Sequence, residues 1–529
     1  MSSQLERVEQ IIDASGTAAQ IEARLPVGVR PRQLTARTLL IGMTLAMLQG
    51  RDALLTNVHR VLLALPQTDR RRLAVSADWN DAEHELTYRQ LEYTYRLITN
   101  TLAKDQPDGS PSPALSEVLD RLLEASVTVL GEPASSSYAV DWTDHETWSR
   151  PPPKHAQGER QTEPTASDGH PPATNTDTQP AATPDAQQGR RDREAYWGHR
   201  TVTHPANNEM FYGYYLQAVT TVRDEHGPEV PELARRIHLA SCQHDPPAQI
   251  VPVLARMHQD RIPIGDLLVD SGYSYRQPQT FALPIRRLGA SLIMDLHPND
   301  RGTHATHQGA ICHNGNLYCT ATPKPLLQLS PLPRPTTPQQ TEAHDRQTAE
   351  LAHYKLSPIT AYDPDGYRRV ICPAAQARLR CPHRPESMTL PHQHPTILTP
   401  PQPRPICCTQ KTITVPPTIN AKTAQKHDYP SRQHRISYNR RTAAERTFAT
   451  LTDRATNDLS RGWCRLTGLT PIALFIATAS IARNIRIADA HTAHQTENQR
   501  RAAQGLPPKR RKHRRQTAQQ PITAANPTP

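Results

Sequence analysis

Proline is the residue that most limits how this chain can fold. The 529-residue sequence contains 51 prolines, which concentrate between Pro151 and about Arg193 and again in residues 301–430. Proline lacks a backbone donor and fixes φ, so neither stretch can form long helices or central strands. The first is also rich in Thr, Gln, Asp and Gly, with almost nothing to bury, and this predicts a disordered loop at 151–193.

Residues 28–130 carry the apolar periodicity of helices. In "TARTLLIGMTLAMLQGRDALLTNVHRVLLALP" apolar residues recur every three or four positions, with Thr35 as N-cap and Pro66 as a stop. "LTYRQLEYTYRLITNTL" and "ALSEVLDRLLEASVTVL" repeat the pattern. We expect an all-helical N-terminal domain after a short segment at 1–27. Its role is either an ordinary helical bundle or DNA binding.

Strands and helices alternate in residues 131–150 and 194–300. "SSSYAVDWTD", "MFYGYYLQAVTTV", "GDLLVDSGY" and "ASLIMDLHP" are typical of buried strands, whereas "VPELARRIHLAS" and "QIVPVLARMHQD" are predicted as short helices. This order predicts an α/β core, completed by a basic helix and an apolar helix in 431–489. An irregular, β-rich, Cys/Pro-rich insertion interrupts it at 301–430, and a basic disordered tail follows at 490–529.

The charge of the chain favours a polyanionic partner. The net charge is +11 and the pI is near 9.3, which points most simply to nucleic acid. The polar start "MSSQLERVEQ" lacks the apolar region of a signal peptide, and the longest apolar runs are too short to span a bilayer. We therefore expect a cytoplasmic protein with no membrane partner.

Three acids stand where a catalytic metal site needs them. Asp141 and Asp270 each end an apolar strand-like run, and such residues face the crevice at the edge of an α/β sheet. Asp144 is the alternative to Asp141, which is favoured because it follows the apolar run directly. Glu445, on the basic helix, is the third candidate. Converging carboxylates repel one another, and their hard oxygens select Mg²⁺ or Mn²⁺.

The same residues carry a resemblance to a known family. Tyr438, Arg441 and Glu445 match the Tyr-x2-Arg-x3-Glu part of the signature of DDE transposases from bacterial insertion sequences. "AVDWTD" and "LLVDSGY" resemble that family's first- and second-aspartate strands. The resemblance covers most of residues 30–490. It departs from the signature at Thr452, where the family has a lysine, and Arg454 is the nearest base.

The resemblance implies a ribonuclease-H-like mixed sheet with flanking helices that cuts and joins double-stranded DNA. Two Mg²⁺ or Mn²⁺ ions would be held by the three acids, and an oligomer would act on transposon ends and target in the bacterial nucleoid. The phosphates would be contacted by Tyr438, Arg440, Arg441, Arg446 and Arg454. Two alternatives remain: an inactive DNA-binding descendant, and a metal-dependent endonuclease that does not join ends.

Six of the eight cysteines lie in the insertion. Reduced, partly buried cysteines are the favoured interpretation, since a large chain without an export signal is no disulfide scaffold. Structural zinc is the less favoured alternative, because only Cys407 and Cys408 are close in sequence and adjacent cysteines chelate poorly. Cys372, Cys381, His383 and Cys407 are its candidate ligands.

Overall fold

The structure, a computed structural model, describes residues 4–26, 32–79, 82–151, 192–200, 209–333, 336–363 and 365–509. It is a mixed α/β protein with one six-stranded mixed sheet and several small sheets. The predicted loop at 151–193 lies outside the described residues except at its ends, and so does the basic run after residue 509.

The N-terminal part is helical with one short hairpin that the sequence did not predict. Its elements are α1 (Gln4–Ser15), α2 (Thr17–Arg24), α3 (Ala36–Leu48), α4 (Leu55–Leu63), α5 (Gln67–Arg72), β1 (Ser76–Trp79), β2 (Ala82–Glu85), α6 (Tyr88–Leu102) and α7 (Pro113–Leu130). The hydroxyl of Thr35 accepts a hydrogen bond from the Thr38 amide, so Thr35 caps α3 as expected.

The central sheet and its crossing helices follow. They comprise β3 (Ser137–Glu146), β4 (Tyr196–Arg200), β5 (Glu209–Val222), β6 (Ala234–Ser241), α8 (Pro246–Gln259), β7 (Asp266–Val269), α9 (Ser271–Ser274), α10 (Ala282–Arg287) and β8 (Ser291–Met294). The strand order is β6-β5-β3-β7-β8, with β4 pairing the first part of β5. The strands β3, β5 and β6 are antiparallel neighbours, whereas β7 and β8 run parallel to β3.

The insertion contains short strands and helices: β9 (Thr303–His307), β10 (Ala310–His313), β11 (Asn316–Cys319), α11 (Lys324–Leu327), α12 (Pro338–Ala352), β12 (Ser357–Pro358), β13 (Arg368–Ile371), α13 (Ile406–Thr409) and β14 (Thr412–Val415). The chain then returns to the sheet through α14 (Arg432–Tyr438), α15 (Thr442–Leu451), β15 (Thr452–Asp453), β16 (Asn457–Asp458) and α16 (Leu469–Ala503). The helix α16 thus extends past residue 490, where a disordered tail was predicted.

The segment "VPELARRIHLAS" was predicted as a helix, and this prediction is wrong. Ala234–Ser241 forms β6, all of it buried and paired with β5. The leucine, alanine and arginine in it favour helix, but the buried guanidinium groups of Arg235 and Arg236 bind Glu124 on α7. The hydrogen-bonded pairing with β5 and the ion pairs with Glu124 outweigh the helix preference of these residues.

The N-terminal helices do not have a core of their own among the described residues. Their apolar side chains share one cluster with α16 and with one face of β5 and β6. The Asn484 side chain on α16 fixes this junction: it bonds both backbone groups of Ala234 at 2.8 and 2.9 Å and the Ser126 hydroxyl at 2.9 Å. The proposed domain boundaries stay a prediction.

The helix α16 is the one described helix that is long and apolar enough to cross a membrane. In this structure, however, 83% of its most apolar window is buried within the protein. The helix passes the test for a membrane span by length and composition only, and its burial is equally that of a core helix, so the expectation of no membrane partner stays a prediction.

Candidate active site

The register of the central strands brings Asp141 and Asp270 together. β3 and β7 are parallel, with Tyr138 opposite Leu267 and Ala139 opposite Leu268. Continuing that register by two residues places Asp141 beside Asp270, directly after the last residue of β7. The two carboxylates therefore stand side by side at the edge where β7 ends, Asp141 within β3 and Asp270 directly after β7.

The pleat directs both aspartates to the same face. Side chains alternate across a strand, so Asp141 shares its face with Ala139 and Asp270 shares its face with Leu268. Ala139 and Leu268 belong to the apolar cluster beneath α15, whereas Tyr138 and Val140 pack against α8 on the other face.

Alternation also separates the two candidates for the first carboxylate. Asp144 is an odd number of residues from Asp141, so its side chain lies on the other face of β3. There it forms an ion pair with Arg200 at 2.6 Å. The structure thus favours Asp141 as the partner of Asp270.

Glu445 is carried to this edge by α15. Ala443 and Ala444 of α15 are fully buried against the sheet, and the Thr447 hydroxyl is 2.9 Å from the Thr220 hydroxyl on β5. Small residues on this side let the helix approach the strands closely. Glu445 itself is on the outer side, with 54% of its side chain exposed.

Arg441 joins the carboxylates. Its Nη1 donates to the Asp141 carboxylate at 2.6 Å, and its Nη2 forms a short hydrogen bond to Glu445 one helical turn on. Burial raises the pKa of Asp270, and the charge of Arg441 partly offsets this rise. The guanidinium, predicted as a phosphate contact, lies among the three acids.

Local hydrogen bonds fix the two aspartates. Oδ1 of Asp141 accepts from the Trp142 amide at 2.9 Å, and Oδ1 of Asp270 accepts from the Gly272 amide at 2.9 Å. A Cβ on Gly272 would stand 2.3 Å from the Trp142 ring, so this turn requires glycine. Trp142 in turn packs edge-on against Tyr273 at 4.7 Å.

Burial and neighbouring carboxylates raise the pKa of both aspartates. Burial first and the Asp270 charge second raise the pKa of Asp141 to about 7, against the lowering effect of Arg441. Burial likewise raises the pKa of Asp270, and Asp295 adds to this. A buried carboxylate pair of this kind gains from any cation placed beside it.

The donor set suits Mg²⁺ or Mn²⁺ in chemistry, since all three side chains supply carboxylate oxygen. Nevertheless, within the described ranges no group of three or more His, Cys, Asp or Glu side chains is already arranged to hold a metal ion. The Arg441 guanidinium explains this for the three acids, because it fills the space between Asp141 and Glu445.

Asp295 is a fourth carboxylate that the sequence analysis missed. It directly follows β8, as Asp270 follows β7, and Val269 lies opposite Met294 in the parallel pair. Its Oδ1 accepts from the Tyr429 hydroxyl at 2.7 Å and from Arg301 at 3.3 Å. The signal was present in "LIMD", an apolar run that ends in an aspartate like the other two.

Of the arginines predicted to contact phosphates, Arg440 is buried, whereas Arg446 and Arg454 are exposed. The side chain of Arg440 is buried and donates to Asp266 at 2.8 Å, to Ser437 and to the Arg223 carbonyl at 2.9 Å. In this structure it is a structural counter-ion, and its phosphate contact stays a prediction. Arg446 binds Glu232, and Arg454, with 79% of its side chain exposed, lies over Trp463.

Tyr438 packs between His434 and Arg441 next to the site. Its ring stacks on His434 at 5.6 Å, and the Arg441 guanidinium carbon lies 5.6 Å above it. This cation–π contact helps hold Arg441 in place. Thr452, at the position of the family's lysine, donates its hydroxyl to the Phe448 carbonyl at the end of α15.

Comparison with protein families, with curated proteins and with solved structures gives no match to this chain.

Proposed function

We propose that this protein is a DDE-type DNA transposase with a ribonuclease-H-like core, which cuts and joins DNA ends with divalent metal. One observation carries the proposal. Asp141 on β3 lies beside Asp270, which directly follows the parallel strand β7, on the sheet face covered by the helix that bears Glu445, and Arg441 bridges Asp141 and Glu445. Three antiparallel strands extended by two parallel ones, with helices on both faces, fit such a core.

The chain's own residues have distinct tasks in this reaction. Asp141 and Asp270 would hold the metal, and Glu445 would complete the set from α15. Two bound Mg²⁺ or Mn²⁺ ions would activate the attacking water or 3′-hydroxyl and stabilise the leaving oxygen. Arg441 supplies positive charge beside the carboxylates. Arg454 lies just beyond the end of α15, with 79% of its side chain exposed and an ion pair to Asp458 at 3.5 Å, and it is the second candidate to meet a phosphate.

The test is metal-dependent cleavage by the full chain on DNA that bears the flanking ends of its own gene. Wild type is compared with Asp270→Asn, Glu445→Gln and the control Asp144→Asn, each checked for folding and DNA binding. We expect nicking and strand transfer by wild type and the control. The two site variants should lose both by about 100-fold or more, as when other charge-stabilising groups are removed.

Cleavage that survives Asp270→Asn would refute the assignment of the site. Loss of cleavage in Asp144→Asn with full activity in Asp141→Asn would refute the choice of the first carboxylate. Nicking without joining would identify an endonuclease instead.

A non-catalytic DNA-binding protein is the second candidate. It is favoured by the ion pairs that hold Arg441 between Asp141 and Glu445, with no ready metal-holding group in the described part of the chain. DNA binding by wild type that shows no cleavage with either metal would decide for it.

A further inference from the structure

The insertion gathers cysteines from four separate segments. Cys319 ends β11, Cys372 follows β13, Cys381 begins a tight turn that is closed by the Arg384 amide at 2.9 Å, and Cys408 lies in α13 just before β14. We call these four residues the cysteine tetrad. All are buried, and none forms a disulfide.

Packing and strand pairing bring the tetrad to one place. Cys319, Cys372 and Cys381 belong to a single apolar cluster, whereas Cys408 belongs to a second one and is placed by strand pairing. The pairing of β13 with β14 sets Ile371 opposite Thr412, so Cys372 and Cys408 lie at the same end of that ladder.

Two arginine side chains connect the turn that begins at Cys381 with the segment that contains Cys408. Nη2 of Arg404 donates both to the His383 carbonyl and, at 3.2 Å, to the Cys408 carbonyl. Nη2 of Arg384 donates to the Gln410 carbonyl at 2.5 Å. The turn that begins at Cys381 is therefore fixed against the segment that carries Cys408.

The thiols influence one another in every pairing. The pKa of Cys319 is raised by burial and by the other three members, and that of Cys381 by burial, by Cys372 and by Cys408. Cys408 also raises the pKa of Cys372. Four buried thiols that raise one another's pKa are costly to ionise in the absence of a cation, and a cation between them would stabilise the thiolates.

Backbone amides also point to the sulfurs, as they do in metal-binding turns. The amides of Ala374 and Ala375 lower the pKa of Cys372 by hydrogen bonding, and those of His383 and Arg384 do the same for Cys381. Amides two and three residues after a cysteine stabilise a thiolate and orient it toward a metal.

We propose that the cysteine tetrad binds one structural zinc ion through four thiolates. Tetrahedral zinc with four cysteines is a closed, structural type of site. It would join the small sheets of an insertion whose many prolines leave it little regular structure. The proposal is independent of the function of the carboxylate site.

The surroundings suit a zinc–thiolate centre of net negative charge. The hydrogen bond from Cys407 lowers the pKa of Cys408 against the effect of burial, and His383, Arg404 and Arg384 lower it further. The His383 ring is itself engaged with the Pro401 carbonyl at 2.9 Å, so we do not assign it as a ligand. Because no group of three or more such side chains in the described residues is already arranged to hold a metal ion, the proposal requires the thiols to turn to a common point by rotation about χ1.

The first test is metal content in the full chain, purified without chelators or metal-affinity resin. We expect about one zinc per chain by elemental mass spectrometry, and a zinc-edge X-ray absorption spectrum with four sulfurs at about 2.3 Å. Cobalt replacement should give the charge-transfer bands of a tetrahedral thiolate site. The absorption measurements need only wild type, so they stand even where a variant fails to fold.

Variants then test which sulfurs bind. Cys372→Ser and Cys381→Ser should lose the zinc, whereas Cys312→Ser should keep it, since that buried thiol bonds the Ile419 carbonyl instead. Cys407→Ser should also keep it. Wild type without stoichiometric zinc, a first shell of nitrogen or oxygen, or retention in Cys372→Ser would overturn the proposal, and zinc loss in Cys407→Ser with retention in Cys408→Ser would overturn the fourth ligand.

Discussion

Replacing Asp141 by asparagine should make the metal-free protein more stable at high pH. In the folded chain, burial and the neighbouring Asp270 raise the pKa of Asp141 from its ordinary 3.8 to about 7. Below about pH 4 the carboxyl is protonated in both states and has no effect. As the pH rises toward 7, the unfolded chain releases this proton and the folded chain retains it. The free energy of unfolding therefore falls across that window.

The size of the effect follows from the two pKa values. A difference of about 3 units corresponds to about 4 kcal/mol, which wild type loses by pH 8. Only 13% of the Asp141 side chain is exposed, so solvent screening is weak. Asparagine cannot ionise, and it keeps an oxygen for Arg441. We expect its advantage to be about 4 kcal/mol at pH 8 and to shrink by roughly 2–3 kcal/mol at pH 5.

The assay is urea unfolding in EDTA at several pH values, followed by tryptophan fluorescence. The control is Asp144→Asn on the same strand, which loses only an ion pair with Arg200 and should show no such gain. Adding Mn²⁺ should close much of the gap by stabilising wild type alone. An Asp141→Asn protein that is less stable than wild type at pH 8, or a difference that does not change with pH, would refute the reasoning.

Two further substitutions test the support of the site. Arg440→Leu leaves the buried Asp266 with Lys426 as its remaining cation, so we expect a loss at the low end of roughly 3–5 kcal/mol in urea unfolding. A loss below 1 kcal/mol would contradict the buried pair. Gly272→Ala forces a Cβ to 2.3 Å from Trp142 and should destabilise the protein by roughly 1–3 kcal/mol and displace the second aspartate. Normal stability with normal cleavage would contradict that contact.

Local pattern was enough to find two of the central strands and the aspartates that they bring together. Asp270 directly follows β7 as predicted, whereas Asp141 ends an apolar run but lies within β3, which continues to Glu146. Burial on both faces selects such apolar runs. The same rule applied to β8 would have found Asp295. The helix predicted for "VPELARRIHLAS" is wrong because the strand formed there depends on partners on α7 and β5, which are not local in sequence.

Arg440 and Arg441 show where sequence reasoning ends. The two residues are adjacent, equally basic and equally suited to phosphate in the sequence. They lie in a single 3-10 turn, Asn439–Arg441, between α14 and α15. That turn directs one side chain inward to Asp266 and the other to Asp141. Only the packing of the turn on the sheet decides which arginine is a structural counter-ion.

Arg441 also links the resting site to the proposed chemistry. Without metal, two buried aspartates of raised pKa need a cation, and the guanidinium supplies one positive charge between Asp141 and Glu445. A divalent cation supplies more charge at shorter range, so its binding weakens the hold of these carboxylates on Arg441. The arginine would then be freed where the proposed reaction requires a contact to the DNA backbone. Arg441 would then be a counter-ion of the carboxylates before metal binds and a phosphate contact afterwards. This would explain why the segment from Tyr438 to Glu445 contains both an arginine and a metal-binding acid.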